Sequence, residues 1–321
     1  MAPCDRRSTL RSPSSDSTYS RVEFARDFPD DDTCLEWLKD ERYPDGIYCK
    51  NCEKVTSHYR VKSRPSYSCQ SCGNHIHPTA GTVFHKSSTS LHLWFQGIYL
   101  MSSTRCGISA KQLEREIGVN YKTALRMFHK IRDLLGVGDI VLSGDVEMDE
   151  TYLNRSHRNR PWEDGRCGSG PTLNERVIMG SVERGGRIVA RHVPAATRVQ
   201  ADAHLKTFVL PSANIFTDES NIYSRVHNTY YHRRVKHSAR VYVDGDVHTQ
   251  TIEGFWSLFK RGLNGVYHSV ATKYLQGYID EYVFRYHHRF DSRPMFFAFL
   301  AQVSRWAAPV AGPPLPDATP S

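Results

Sequence analysis

The chain has 321 residues, 39% of them hydrophobic, which is enough for more than one domain and at least one large core. Lys and Arg exceed Asp and Glu by 42 to 34, and a pI near 9.0 favours a polyanionic partner such as nucleic acid. No apolar run reaches the roughly 18 residues of a membrane helix, and residues 1–20 are polar, without the apolar core of a secretory signal, so a soluble, cytoplasmic protein is expected.

Residues 1–27 are rich in Ser, Arg and Asp, with too few large apolar groups to offset their ordering entropy, and read as a disordered tail. The pattern changes at Phe28. Asp30, Asp31 and Asp32 precede Cys34, Leu35, Trp37 and Leu38, the outline of a short acid-capped helix. Then come Cys49-Lys50-Asn51-Cys52 and, sixteen residues on, Cys69-Gln70-Ser71-Cys72. Each pair suits a tight knuckle in which two thiolates converge on one ion, and the spacing fits a four-cysteine zinc site better than a redox dithiol. With Tyr48, Tyr59 and Tyr67 on short strands around it, the segment 28–85 reads as a zinc ribbon, a module too small to be stable without its metal. Cys4, Cys34, Cys106 and Cys167 have no such spacing and read as thiols outside the metal site.

The segment 86–137 is helical. Residues 91–101 are nearly all apolar, a buried helix; residues 109–119 form a short helix ending at Gly118. Asn120 can cap a second, over residues 121–135, that displays Lys122, Arg126, Lys130 and Arg132. Two short helices about a tight Gly turn outline a helix-turn-helix, whose second helix can enter a major groove; an ordinary helical hairpin with a solvated basic face explains the same residues.

A third segment, 138–302, follows the Gly136-Val137-Gly138-Asp139 boundary. Residues 140–152 read as a strand with acids at its end, and residues 154–172 as a polar loop. Residues 176–183 and 187–193 make a hairpin, 201–209 a helix, and 214–217 a short strand ending at Asp218. The run 223–240, with Arg225, Arg233, Arg234, Lys236 and Arg240 among aromatics and histidines, is the best basic patch. Two helices complete the pattern, at 248–262 and 273–288. The first sets Ile252, Phe255, Trp256, Phe259 and Leu263 on one apolar stripe, with Glu253 and Lys260 at its border. Residues 303–321 read as a Pro-rich disordered tail.

The order of the acids carries the chemistry. Strands meeting in one sheet would bring Asp149 and Asp218 from strand ends to Glu253 on a packed helix. Three carboxylates can hold two hard divalent cations, which activate the attacking oxygen and stabilise the leaving one in a phosphoryl displacement. Glu147, Glu150 and Glu219 adjoin these positions, with adjacent strand residues pointing to opposite faces. Asp145, Asp244 and Asp246 read as turn or loop residues, and His248 as a structural histidine or a residue that orients a ligand or DNA.

From residue 28 to 297 the chain resembles the bacterial insertion-sequence DDE transposases of the group named after IS-fifteen-ninety-five and ISXO-two. The resemblance is carried by Met148-Asp149-Glu150-Thr151-Tyr152, Thr217-Asp218-Glu219, and His248-Thr249-Gln250-Thr251-Ile252-Glu253-Gly254-Phe255-Trp256 with Lys260-Arg261-Gly262; Tyr267-His268 and Phe284-Arg285-Tyr286 also match. It implies an α/β, RNase H-like catalytic domain of the DDE integrase type, preceded by a zinc ribbon and a helix-turn-helix. Asp149 and Asp218 would be the first two ligands of Mg²⁺ or Mn²⁺, two ions in all. An Asn commonly stands three residues before the helix Glu in that group. Here the position is Gln250, one methylene longer, so the third place lies between Glu253, taken as ligand, and Gln250, taken as a neighbouring polar contact. Lys260 would meet DNA phosphate near the scissile bond. The partners implied are double-stranded DNA, both element terminal inverted repeats and target, and further copies of the chain on that DNA, at the nucleoid in a bacterial cell. A decayed or domesticated transposase acting only as a zinc-dependent DNA-binding protein is the alternative.

Overall fold

The computed structural model describes residues 19–104, 106–136, 138, 140–153, 176–235 and 249–306. Chain contacts divide it into two units, one of residues up to 134 together with those from 290 onward, the other Leu135–Arg289.

The first unit opens with helix α1 (Arg21–Asp27), inside the segment expected to be a disordered tail; residues 1–18 lie outside the described ones. A capping box orders it, Ser20 accepting from Glu23 N while the Glu23 carboxylate accepts from Ser20 N, and Phe24 is buried among Phe28, Tyr99 and Phe296. Helix α2 (Asp31–Arg42) is capped by Asp30, whose Oδ1 accepts from Thr33 N at 2.8 Å, and buries Cys34, Leu35 and Leu38. The ribbon follows, with β1 (Ile47–Cys49) antiparallel to β2 (Lys54–Thr56), and β3 (His58–Val61), β4 (Ser66–Cys69) and β5 (His75–Ile76) in a second antiparallel sheet.

Helix α3 (Leu91–Ser103) is the buried one. At Gly97 it leaves room for Met127, Ile131 and Leu113 from α4 (Ala110–Ile117) and α5 (Tyr121–Asp133). Between α4 and α5, Gly118 takes the left-handed conformation at φ 70°, and Asn120 caps α5 by accepting from Thr123 N. Helix α9 (Met295–Trp306) packs on α3 and α2 through Phe296, Phe299, Leu300 and Val303. Contacts thus group residues 290–302 with the N-terminal unit, although in sequence they continue the third segment.

The second unit is a five-stranded sheet in the order β10–β9–β6–β7–β8. Strands β6 (Asp145–Leu153), β7 (Arg176–Glu183) and β8 (Ile188–Val193) are antiparallel neighbours; β9 (Asn214–Thr217) runs parallel to β6, and β10 (Tyr231–Arg234) parallel to β9. Alternation along β6 sends Val146 and Met148 into a core with Val177, Met179 and Val189, closed by Ala201 and Leu205 of α6 (Arg198–Phe208). The other face, with Glu147, Asp149 and Gly180, meets α7 (Gln250–Gly262). Helix α8 (Leu275–His287) lies along β8, where Gln276 accepts from His192 N and donates to Ala190 O. Among the described residues no helix is long and apolar enough to cross a membrane.

Candidate active site and metal centre

In the ribbon, the sulfurs of Cys49, Cys52, Cys69 and Cys72 all lie within 4.8 Å of one another. Cys49 and Cys72 are 3.5 Å apart and Cys52 and Cys69 3.9 Å. Four thiol donors converging from two knuckles are the donor set of a closed structural zinc site, and they fit one Zn²⁺. Thr56 Oγ1 sits 3.2 Å from Cys69 Sγ and, as donor to the thiolate, lowers that thiol's pKa. Cys34 is buried in α2, where burial pushes its thiol up; Cys4 and Cys167 lie outside the described residues.

The basic surfaces differ in part from expectation. On α5, Lys122 and Arg126 are exposed, but Arg132 is 1% exposed and stacks on the Phe128 ring at 3.6 Å, so it is not displayed. In the basic run Arg225, Arg233 and Arg234 are exposed, and Tyr231–Arg234 is the edge strand β10, which the sequence did not reveal. Lys236 and Arg240, like Asp244, Asp246, His248 and the loop at 154–172, lie outside the described residues. Asp145 opens β6 instead of a turn, its Oδ1 accepting from Asn214 Nδ2 at 2.8 Å.

The acids come together around β6. Asp149 is near its end; Asp218 follows β9, which pairs with β6 through Val146↔Ile215 and Glu147↔Phe216; Glu253 rides on the first turn of α7. Each has a neutral donor. Trp256 Nε1 donates to Asp149 Oδ2 at 3.1 Å, Ser220 N to Asp218 Oδ1 at 3.0 Å, and Thr249 Oγ1 to Glu253 Oε1 at 2.8 Å. A fourth acid, Glu150, accepts from the buried Tyr223 hydroxyl. Burial, reinforced by the charges of Glu150, Asp218 and Glu253, pushes the Asp149 carboxyl up to about 7; burial also raises Glu150. Among the described residues, the metal-ligand group that the structure brings together is the four cysteines, and Asp149, Asp218 and Glu253 do not form a second one. Mutually repelling carboxylates with spare oxygens still fit hard divalent cations by donor chemistry. Gln250 is the exposed first residue of α7, and Lys260 is half-buried on the same helix, seven residues beyond Glu253.

Two side chains here escaped sequence reasoning. Trp256 was placed on the apolar stripe, which it occupies, but its indole N–H also holds Asp149; the available signal was the polar edge that a buried Trp must satisfy. Glu147 is wholly buried and meets the start of α7, a contact legible only as the shared face of residues two apart on a strand.

Comparison with known proteins matches residues 141–287 to the ISXO2-like transposase domain and residues 29–75 to the transposase zinc-ribbon domain. An uncharacterized protein in the transposable element ISH50 of Halobacterium salinarum is 30% identical over 255 residues, 74% of this chain and 85% of that protein. Among solved structures, a chain in a simian T-cell lymphotropic virus intasome complexed with a PP2A regulatory subunit aligns over 71% of this chain and 77% of its own length. Its 13% identity and TM-score of 0.29 carry no argument about the fold.

Proposed function

Because the chain belongs to the family of ISXO2-like insertion-sequence transposases and is a DNA transposase, we propose that Asp149, Asp218 and Glu253 are the carboxylates at which it cuts and joins DNA. The observation that carries this reading is the burial of Asp149 among like charges: an acid pushed up to about 7 by burial first and by the charges of Glu150, Asp218 and Glu253 second marks a place that suits cations. Two Mg²⁺ or Mn²⁺ ions held by these acids would, when bound, supply Lewis acidity toward the attacking and leaving oxygens. Trp256 fixes the rotamer of Asp149, and Thr249 that of Glu253. Lys260 contacts the phosphate flanking the scissile bond as a point charge.

The proposed chemistry is two in-line displacements. Water attacks the phosphorus at the element end, its oxygen forming the new P–O bond as the P–O3′ bond breaks and leaves a 3′-hydroxyl. That hydroxyl then attacks a phosphorus of target DNA, displacing the target's own 3′ oxygen. The strand order, three antiparallel strands with two parallel ones added beside the first, supports an RNase H-like catalytic domain. The Gly118 turn and the exposed Lys122 and Arg126 support α4 and α5 as a helix-turn-helix for the element ends, used alongside the zinc ribbon and in more than one copy of the chain. The test is cleavage of a supercoiled plasmid bearing the element's ends, with Mg²⁺. Asp149→Asn, Asp218→Asn and Glu253→Gln should each abolish cleavage while end binding persists; normal cleavage by either aspartate variant refutes the assignment, and a protein that binds ends but never cuts them is the decayed alternative.

A further inference from the structure

Helix α7 begins without a side-chain cap of its own. Thr249 is its N-cap residue and would ordinarily turn its hydroxyl onto the free amides of the first turn, but that hydroxyl donates to Glu253 Oε1 at 2.8 Å instead. The amides are met from another element. Glu147 of β6 accepts from Thr251 N at 2.8 Å and from Ile252 N at 3.1 Å through Oε2, and from Thr251 Oγ1 at 2.9 Å through Oε1. Its charge is paired: Arg184 Nε lies 3.0 Å from Oε1, and the Arg184 guanidinium stacks on the Phe216 ring at 4.1 Å. Glu147 is 0% exposed, so none of these bonds is shared with solvent.

We propose that Glu147 is a positioning residue of the transposase site, a cap supplied in trans by β6 that sets the register of α7 and thereby the place of Glu253 relative to Asp149. The proposal rests on the reading of Asp149 and Glu253 as cation ligands. Both acids are tied to the same two elements: Glu147 and Asp149 share one face of β6, two residues apart, and Glu253 follows the capped amides directly. A negative carboxylate is the group that suits a helix N-terminus, with charged hydrogen bonds stronger than neutral ones. Glu147 meets the amides of the first turn while Thr249 orients Glu253.

The test uses the full, zinc-loaded chain carrying Glu147→Gln, with Asp149→Asn as control. An amide at 147 keeps the volume but turns an N–H₂ toward donors. Three readouts are taken: hydrogen exchange of the first turn of α7, Mn²⁺ affinity without DNA, and the Mg²⁺ dependence of single-turnover end cleavage. Exchange at Thr251 and Ile252 should accelerate, and Mn²⁺ affinity and cleavage rate should each fall by roughly 10- to 100-fold, the range for losing a partner that orients a metal ligand. End-DNA affinity should be unchanged. Wild-type Mn²⁺ affinity and Mg²⁺ dependence in Glu147→Gln overturn the proposal, even if the protein is less stable, because a purely structural cap moves only stability. If Glu147→Gln fails to fold, Thr251→Val decides: it removes one bond to Glu147 and should weaken Mn²⁺ binding by roughly 2- to 10-fold, the equivalent of one hydrogen bond, so unchanged affinity refutes the idea. Cleavage by Asp149→Asn would sink the active-site reading itself, whereas an inactive Asp149→Asn beside a normal Glu147→Gln sinks only the role of Glu147.

Discussion

Gly180 pairs with Asp149 across β6 and β7, and a methyl group there has no room. A Cβ built on Gly180 would lie 2.8 Å from Cη2 and Cζ2 of Trp256 and 3.2 Å from Ile252 Cδ1. Carbon atoms prefer about 3.5–4.0 Å, so Gly180→Ala requires the indole to retreat by roughly 0.7 Å or more. That retreat spends the Trp256–Asp149 hydrogen bond, now 3.1 Å long. Either the strain stays, at about 1–3 kcal/mol for overpacking, or the ring moves and a bond to a carboxylate is lost, at about 1.5–3 kcal/mol. Against this, replacing Gly restricts the unfolded chain and returns about 0.4–1 kcal/mol. The net is a loss of about 1–2 kcal/mol, or a urea midpoint lower by roughly 0.5–1 M for a slope of about 2 kcal/mol/M. End cleavage should fall with it, because Asp149 loses its orienting donor. Gly254 is the control, since a Cβ there meets nothing within 4 Å and the residue sits inside α7. Gly254→Ala should stabilise by about 0.5–1 kcal/mol from helix propensity. A Gly180→Ala protein as stable and as active as wild type would refute the account of the ring as a packed positioner.

Trp256→Phe keeps an aromatic ring in place but removes the N–H and part of the indole, so cleavage should drop by roughly tenfold, the low end for losing an orienting partner, and stability should fall by at least the about 1.5–3 kcal/mol of the lost bond to a carboxylate. Gln250 is exposed at the start of α7 while Glu253 is held by Thr249, so Gln250→Asn should leave cleavage within a few-fold of wild type; a loss as complete as that of Glu253→Gln would move the third ligand to position 250. Zinc measured by elemental analysis should be one ion per chain, lost in Cys69→Ser, together with the hydrogen-exchange protection of β3 and β4 but not of β6 and β7.

Helix α7 could be read because its apolar residues recur at helical spacing, and all of Ile252, Phe255, Trp256, Phe259 and Leu263 are buried. The ribbon and the α4–α5 turn were equally plain: cysteine pairs, Gly118 and Asn120 are local signals with local causes. What escaped depends on distant partners. Strand β10 is four residues, exposed except for half-buried His232, and becomes a strand only through parallel pairing with β9. Helix α1 has one buried side chain and no apolar stripe, and needs the capping box and the aromatic cluster around Phe24. Arg132 reads as a surface cation until Phe128 is seen beneath it. Glu147 illustrates the limit best: an acid between Val146 and Met148 looks like one more candidate ligand, and only the approach of α7 and Arg184 makes it a cap.

The charge arrangement around β6 has a consequence for stability. Glu147 has a cation in Arg184, whereas the donors to Asp149, Glu150, Asp218 and Glu253 are the neutral groups of Trp256, Tyr223, Ser220 and Thr249. The helix N-terminus that could have relieved the four is already taken by Glu147. Among the described residues no cation is paired with these four, and on the proposed reading a divalent cation neutralises their repulsion, a strain held at the expense of stability. In a metal-depleted buffer free of chelator, so that zinc stays bound, Asp149→Asn should be more stable than wild type by about 1–2 kcal/mol: the amide keeps an acceptor for Trp256 and removes a charge. Adding Mn²⁺ should reverse the order, stabilising wild type by about 1.4 kcal/mol at ten times the dissociation constant and about 2.7 at a hundred times, with a smaller gain for the variant. Urea unfolding followed by hydrogen exchange in β6 and β7 reads both quantities. A metal-free Asp149→Asn protein less stable than wild type, with Mn²⁺ raising the two equally, would show that the four acids are not balanced against a cation.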